Sequence, residues 1–518
     1  MSASILTPAS RALDKRSART AGLFDLLHSN AGLLLALGAV VAYCPSLART
    51  LWVDEANSYW MACRGPLAAI QRTSHWPGQS LLYAVITSFF CFDGSPFRDL
   101  FLRIPALLGA AAACYFLYRF AEDAFGAGAG RIAALMFAFN PATIELATEA
   151  RSYALAMAAV AASCWTLYRW ADSRQRSWLA AYVFSSTLII YLHYLFSIVF
   201  AVQALFLLYE LAFRRRLARA GEILAGYVVV ALLAVPLVPH LRLLLHESHT
   251  LPFGARPTAV SLAELLMPPA FMAGIFAAGL VVHFAWPDRA PEPARLKPAL
   301  PLMLLAWWSL GPLFFFAVSS TTTMMVFVDR YLSYSGMAFA LLIAYAGYSI
   351  FGKRRSYVWA LLVVLLTTGN VLKLVGQWRP GDHELGPFMR VIRDESANSG
   401  SHLPPVIFES SLVESNSYNW RSGNSPDSYL FSPFVAYPMK NKLVPLPFSM
   451  TADAEDYFAN ELKTELKGEA KVILVLHDVI RIPWFDERFK EAGFSSRCMQ
   501  LNDYWVMVFE SGKAKAGL

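Results

Sequence analysis

The chain is divided into a succession of apolar runs, each near the ~20 residues a helix needs to cross the hydrocarbon of a bilayer. They lie at 31–49, 100–120, 131–149, 152–170, 178–193, 195–213, 221–240, 261–285, 298–319, 331–351 and 356–376. The pattern predicts an α-helical polytopic membrane protein of about eleven transmembrane helices. Composition agrees: of 518 residues, 56% are hydrophobic and only 16% charged, with a mean hydropathy of +0.43. A soluble domain carries about 25% charge. The 14% aromatic content excludes intrinsic disorder. The net charge of +7 comes from short basic clusters between apolar runs, which argues against nucleic-acid binding. Six cysteines in a chain this long are not a disulfide framework.

Those basic clusters set the topology. The polar stretch 1–30 carries Arg11, Lys15, Arg16 and Arg19 and reads as a cytoplasmic tail, without the cleavage site of a signal peptide. With eleven spans, Arg119, Arg131, Arg169, Arg174, Arg176, Arg214, Arg215, Arg216 and Arg219 all face the cytoplasm. Arg289, Arg295, Lys297, Lys353, Arg354 and Arg355 join them. Counting Ser80–Phe92 as a further span would put every one of these outside. That segment is therefore read as a helix on the outer face, inside one large external loop, 50–99.

After Val375 the texture changes. Pro405–Ser410, Lys471–His477 and Tyr504–Glu510 read as strands, and 454–467 and 484–492 as helices. Residues 377–518 are expected to form a small α/β domain, and an odd number of spans places it outside.

Several polar residues stand where lipid should not tolerate them. Asp54 and Glu55 follow the first span directly. They read either as the capped start of an external helix, with Asp54 at the N-cap, or as groups facing an aqueous cavity. Glu149, Arg151 and Tyr153 lie between two spans with almost no loop, where Arg151 is either a snorkelling anchor or a fork for a phosphate. His193 and Tyr194 occupy another nearly loopless external turn, and Arg330 follows Asp329 at the outer start of a span. With His75, these groups share one membrane face. Carboxylates and arginines at a lipid boundary suit a reaction joining an anionic lipid headgroup to a polar acceptor. A carboxylate would take a hydroxyl proton and the guanidiniums would hold the phosphate.

Taken in order, several segments resemble the type-C glycosyltransferases. They are Asp54-Glu55, His75-Trp76-Pro77, Arg103-Ile104-Pro105-Ala106-Leu107, Glu149-Ala150-Arg151-Ser152-Tyr153, His193-Tyr194 and Arg330-Tyr331-Leu332. The likeness covers roughly 31–350. It is narrowest to the branch of protein O-mannosyltransferases, lipid A aminoarabinose transferases and rhizobial galacturonosyltransferases.

The resemblance implies a type-C glycosyltransferase fold over 31–376, with juxtamembrane helices in the loop 50–99. It also implies a polyprenyl-phosphate sugar donor and catalysis at the external face of a bacterial inner membrane, on the periplasmic side. The acceptor would be a glycolipid, an envelope polysaccharide or a protein. Carried over by position, Asp54 is the catalytic carboxylate, with Glu55 as its orienting neighbour. Arg151 and Arg330 line the donor phosphate, with Tyr153, His193, His75 and Glu149 as further donor-site candidates. Where relatives often have His-Pro-Pro, this chain has His75-Trp76-Pro77-Gly78.

No cofactor is required by this reading, although a divalent cation is compatible with it. His246 and His249, flanking Glu247, are too sparse a pair to count as a zinc site. Cys63 and Cys91 share the external loop and either pair or stay buried as thiols. Three other classes compete. A transporter or flippase would show repeats and mid-membrane charges. A polymerase or ligase of lipid-linked glycans usually keeps its arginines in a large later loop. The third is a member that has lost activity and only binds a partner.

Overall fold

The computed structural model describes residues 30–76, 78–214, 220–247, 256–285, 299–367, 385–400, 402–410, 428–462, 466, 468–501 and 504–512. Residues 1–29 of the predicted tail, the cationic stretches 215–219 and 286–298 and the last part of the run 356–376 lie outside these residues.

The first apolar run becomes helix α1 (Ala31–Tyr43) followed by a 3-10 turn at Pro45. The segment 50–99 then folds into three short helices, α2 (Val53–Ala62), α3 (Pro66–His75) and α4 (Leu81–Ser88). At 1.5 Å per residue α4 is roughly 12 Å long, too short to span. The bundle continues through α5 (Arg98–Phe125), α6 (Ala127–Ala138), α7 (Pro141–Ala147), α8 (Tyr153–Ser173), α9 (Arg176–Leu192) and α10 (Val199–Arg214). Next come α11 (Ala220–Ala234), α12 (Val238–Glu247), α13 (Ala259–Leu266), α14 (Pro269–Ala285), α15 (Ala299–Thr321) and α16 (Asp329–Thr367).

Several predicted spans are interrupted, and in each case proline is the cause. The run 131–149 breaks between α6 and α7, where Pro141 cannot donate a helical N–H and Asn140 Oδ1 instead accepts from Ala142 N at 2.9 Å. Pro236 divides the run 221–240 and Pro268 the run 261–285. The last two runs are two helices joined within α16 by a kink at Gly352, whose φ of +70° favours glycine. Among the described residues, six helical stretches are long and apolar enough to cross a membrane, and three shorter apolar helices accompany them. The chain is an integral membrane protein.

Small residues let the helices approach closely, as they must where lipid supplies no hydrophobic drive between them. A side chain on Gly109 of α5 would meet the backbone of α8 at 2.6 Å (Leu155 N) and 2.8 Å (Ala154 C).

The region beyond the spans is α17 (Gly386–Ala397), β1 (Val406–Glu409), α18 (Ser432–Ala436), β2 (Leu443–Leu446), α19 (Ala452–Asp456), β3 (Lys471–Leu476), α20 (Ile482–Glu491), β4 (Phe494–Leu501) and β5 (Tyr504–Ser511). The sheet order is β2-β1-β3-β5-β4. The pairs β1–β2 and β1–β3 are parallel, while β3–β5 and β4–β5 are antiparallel. Strands β1, β3 and β5 lie where the sequence places them. The alternation sends Val406 and Phe408 to one face and Ile407 to the other. The first face packs on Phe388, Phe431 and Phe434, and through them on Leu51, Tyr59 and Leu102 of the membrane region. Polar ties reinforce this seam: Tyr437 Oη donates to Asp99 Oδ2 at 2.6 Å, and Leu51 N donates to Tyr437 Oη at 2.7 Å. The sheet is thus docked on the same end of the bundle that carries Asp54.

Because the α5–α8 contact is backbone against Cα, Gly109→Val should lower stability by about 1–3 kcal/mol. Thermal unfolding in detergent checks this. Gly38→Val, where an added Cβ meets nothing within 4 Å, is the control expected to leave unfolding unchanged.

Candidate active site

Helix α2 starts two residues earlier than the capping alternative requires. Trp52 is the N-cap, and Asp54 sits inside the first turn with its side chain directed at arginines rather than at its own backbone. Glu55 faces the opposite way, into the protein. Its carboxylate forms a two-pronged pair with Arg103 of α5, at 2.7 Å (Nε–Oε1) and 2.6 Å (Nη2–Oε2). Ala150 N donates to Oε1 at 2.8 Å and Trp52 N to Oε2 at 3.2 Å. The remaining Arg103 donors reach Leu47 O, Arg49 O and Thr50 O at 2.8, 2.6 and 3.1 Å. Arg103 is wholly buried, so each of these bonds replaces lost hydration.

This knot joins four segments, and its neighbours in sequence make the site. Asp54 precedes Glu55 and Arg151 follows Ala150, so fixing Glu55 to Ala150 brings Asp54 against Arg151. Asp54 Oδ2 lies 2.9 Å from Arg330 Nη1 and 3.7 Å from Arg151 Nη2. Arg151 Nη1 also donates to Asp54 O at 3.4 Å and to Gln79 Oε1 at 3.2 Å. The three side chains are partly exposed, at 13% for Arg151, 19% for Asp54 and 30% for Arg330, so the cluster is held yet reachable. Two guanidiniums facing one carboxylate leave an excess of positive charge, a setting that attracts an anion.

The other candidates divide into two groups. Tyr153 and His193 pack against each other. The His193 ring lies 5.1 Å from Tyr153, 5.5 Å from Tyr331 and 4.6 Å from Phe196, centroid to centroid. Its Nδ1 is buried with no hydrogen-bond partner among the described residues. The Arg151 guanidinium lies 5.8 Å from the Tyr153 ring. Glu149 is buried in the turn before α8, and burial holds its carboxyl up at about 8, with Glu145, Glu55 and Asp54 pushing the same way. His75 is not brought in. It ends α3 on an exposed surface, its Nδ1 bonded to Gln71 O at 2.8 Å. Pro77 lies outside the described residues.

Arg103, Gln79 and Tyr429 were not singled out as site residues by the sequence. Arg103 carried a usable signal: an arginine deep in an apolar run needs a buried counter-charge, and Glu55 was available. Gln79 and Tyr429 carried none. Among the described residues, no three His, Cys, Asp or Glu side chains converge as metal ligands. His249 lies outside them, and Cys63 and Cys91 are free thiols.

Two outcomes follow. Arg103→Met strands the Glu55 charge and should cost about 3–5 kcal/mol, read as loss of folded protein in detergent. Glu149 binds its proton more tightly folded than unfolded, because its pKa rises from 4.5 to about 8. Its contribution to stability is therefore full below the lower value and lost as pH rises to the upper one. Glu149→Gln should remove that part of the decline in melting temperature between roughly pH 5 and 8. An identical slope in the variant would refute it.

Comparison with known proteins agrees with this architecture. The profile of the dolichyl-phosphate-mannose-protein mannosyltransferase family matches residues 77–240. ArnT from Cupriavidus metallidurans in its apo state is similar in structure at a TM-score of 0.55 and 13% identity, over 93% of this chain and 98% of that one. The same protein bound to undecaprenyl phosphate gives 0.55 and 14%, over 92% and 98%. No curated protein matches the chain by sequence. The likeness drawn from short motifs is thus borne out: the chain matches the sequence profile of the mannosyltransferase family over 77–240 and has the membrane fold of a type-C glycosyltransferase.

Proposed function

We propose that the chain transfers one sugar from a polyprenyl-phosphate donor to an acceptor on the outer face of a bacterial inner membrane. The observation that carries this reading is the Arg330–Asp54–Arg151 cluster: a carboxylate held between two guanidiniums, partly open to solvent. The family profile and the ArnT-like fold support a lipid-linked donor.

Both arginines engage the Asp54 carboxylate, at 2.9 Å from Arg330 and 3.7 Å from Arg151. A donor phosphate competes for the guanidiniums and leaves the Asp54 carboxylate available to an acceptor hydroxyl. Asp54 then takes the hydroxyl proton as the oxygen attacks the anomeric carbon. The bond from that carbon to the phosphate oxygen breaks, and Arg151 and Arg330 stabilise the departing polyprenyl phosphate. Attack opposite the phosphate inverts the anomeric centre. Glu55 contributes by orientation, through Arg103. Tyr153 and His193 form an uncharged wall beside the phosphate. The acceptor is a glycolipid, envelope polysaccharide or protein, and a glycan or glycolipid is favoured because the motif likeness is to bacterial members.

Membranes holding the protein, supplied with radiolabelled polyprenyl-phosphate sugars, test this reading. Asp54→Asn should reduce transfer by about 100-fold or more, and transfer at the wild-type rate would remove Asp54 from the chemistry. Arg330→Ala and Arg151→Ala each delete a charge-assisted hydrogen bond and should raise the apparent donor KM by roughly 10–100-fold. A lipid probe that changes leaflet with no covalent product would indicate transport instead.

A further inference from the structure

We infer that Tyr429, contributed from the region beyond the last span, is a positioning residue of the donor site: through Gln79 it fixes the guanidinium of Arg151. The inference rests on the reading of Arg151 as a phosphate contact.

Gln79 stands between the two. Its Oε1 accepts from Arg151 Nη1 at 3.2 Å and its Nε2 donates to Tyr429 Oη at 3.0 Å. Arginine has no acceptor, so the amide oxygen must face Arg151 and the amide nitrogen must face Tyr429. The amide orientation is therefore set from the Arg151 end, and the Tyr429 hydroxyl, able to donate or accept, takes the Nε2–H. The bond to Gln79 is the shorter of those described for Arg151, the other reaching Asp54 O at 3.4 Å. When a donor phosphate draws Arg151 away from the Asp54 carboxylate, Gln79 is the tether that keeps the fork near its place.

Tyr429 is well built to hold that tether. It is 2% exposed, packs on Trp76 at 4.1 Å and meets Trp60 edge-on at 5.3 Å. The following helix α18 lies against α2, where Ser432 Oγ donates to Asn57 Oδ1. Through these contacts the region carrying the sheet is coupled to the helix that bears Asp54. A purely structural Tyr429 would need only its ring. The hydroxyl is what the positioning role adds, and phenylalanine separates the two.

The experiment uses full-length protein in detergent and undecaprenyl phosphate as the probe, with binding followed by native mass spectrometry. Donor KM and kcat are measured alongside. Tyr429→Phe, which keeps the stack, should weaken binding and raise donor KM roughly three- to tenfold with kcat at saturating donor nearly unchanged. Gln79→Leu should do the same, and adding Tyr429→Phe to it should cost nothing further. Wild-type binding in Tyr429→Phe, or an equal additional loss in the Gln79→Leu background, overturns the inference alone. Absence of undecaprenyl phosphate binding by the wild type, with transfer also absent, overturns the donor-site reading and this inference with it.

Discussion

Glu55 and Arg103 are buried together at the end of the helical bundle, and the rest of the site is arranged around their pairing. Taking both charges out of water is costly, and the Coulomb attraction repays it only when the remaining donors and acceptors are satisfied. Here they are: the guanidinium bonds three carbonyls besides the carboxylate, and the carboxylate accepts two backbone N–H groups besides the guanidinium. The pair gathers the end of the first helix, the start of α2, the α5 helix and the turn at 148–152. A purely apolar contact would hold these segments together but would not set the register between them.

Register is what the site needs. The two residues that flank the knot, Asp54 and Arg151, are held more loosely. Their carboxylate and guanidinium are 3.7 Å apart and partly exposed, and Arg330 shares the same oxygen. A pair closed for stability would be tighter and drier. The looser arrangement suits groups that must exchange partners when an anion enters. Rigid support one residue away from each allows that exchange without loss of geometry.

The sheet beyond the last span belongs to the same construction. One of its faces is covered by Phe388, Phe431 and Phe434, which rest on Leu51 and Tyr59 beside the site. Tyr437 bonds Asp99 at the start of α5, and Tyr429 bonds Gln79. The cluster of Val53, Trp60, Met61 and Tyr429 shows how little separates this region from α2. An extramembrane domain hung on a tether would show neither the shared core nor the shared hydrogen bonds.

The sequence by itself determined the class of molecule, because solvent acts on composition and not on contacts. Twenty-residue apolar runs have one cheap solution in lipid, and basic clusters mark one face. It also pointed to Asp54, Arg151 and Arg330, since a charge at a lipid boundary is costly enough to stand out in a single residue. Interrupted spans were less legible, because apolarity does not record where Pro141, Pro236 or Pro268 stops a helix. Only the tertiary structure decided which neighbour does what. Asp54 and Glu55 are adjacent acids with the same local signature, yet helical geometry turns one to the arginines of the site and the other into the core. His75 matched a motif only in part and is left on the surface, while Gln79 and Tyr429 matched nothing, yet Tyr429 bonds Gln79 and Gln79 bonds Arg151. Such pairings join residues 350 positions apart, and no local property of a chain encodes a partner at that distance.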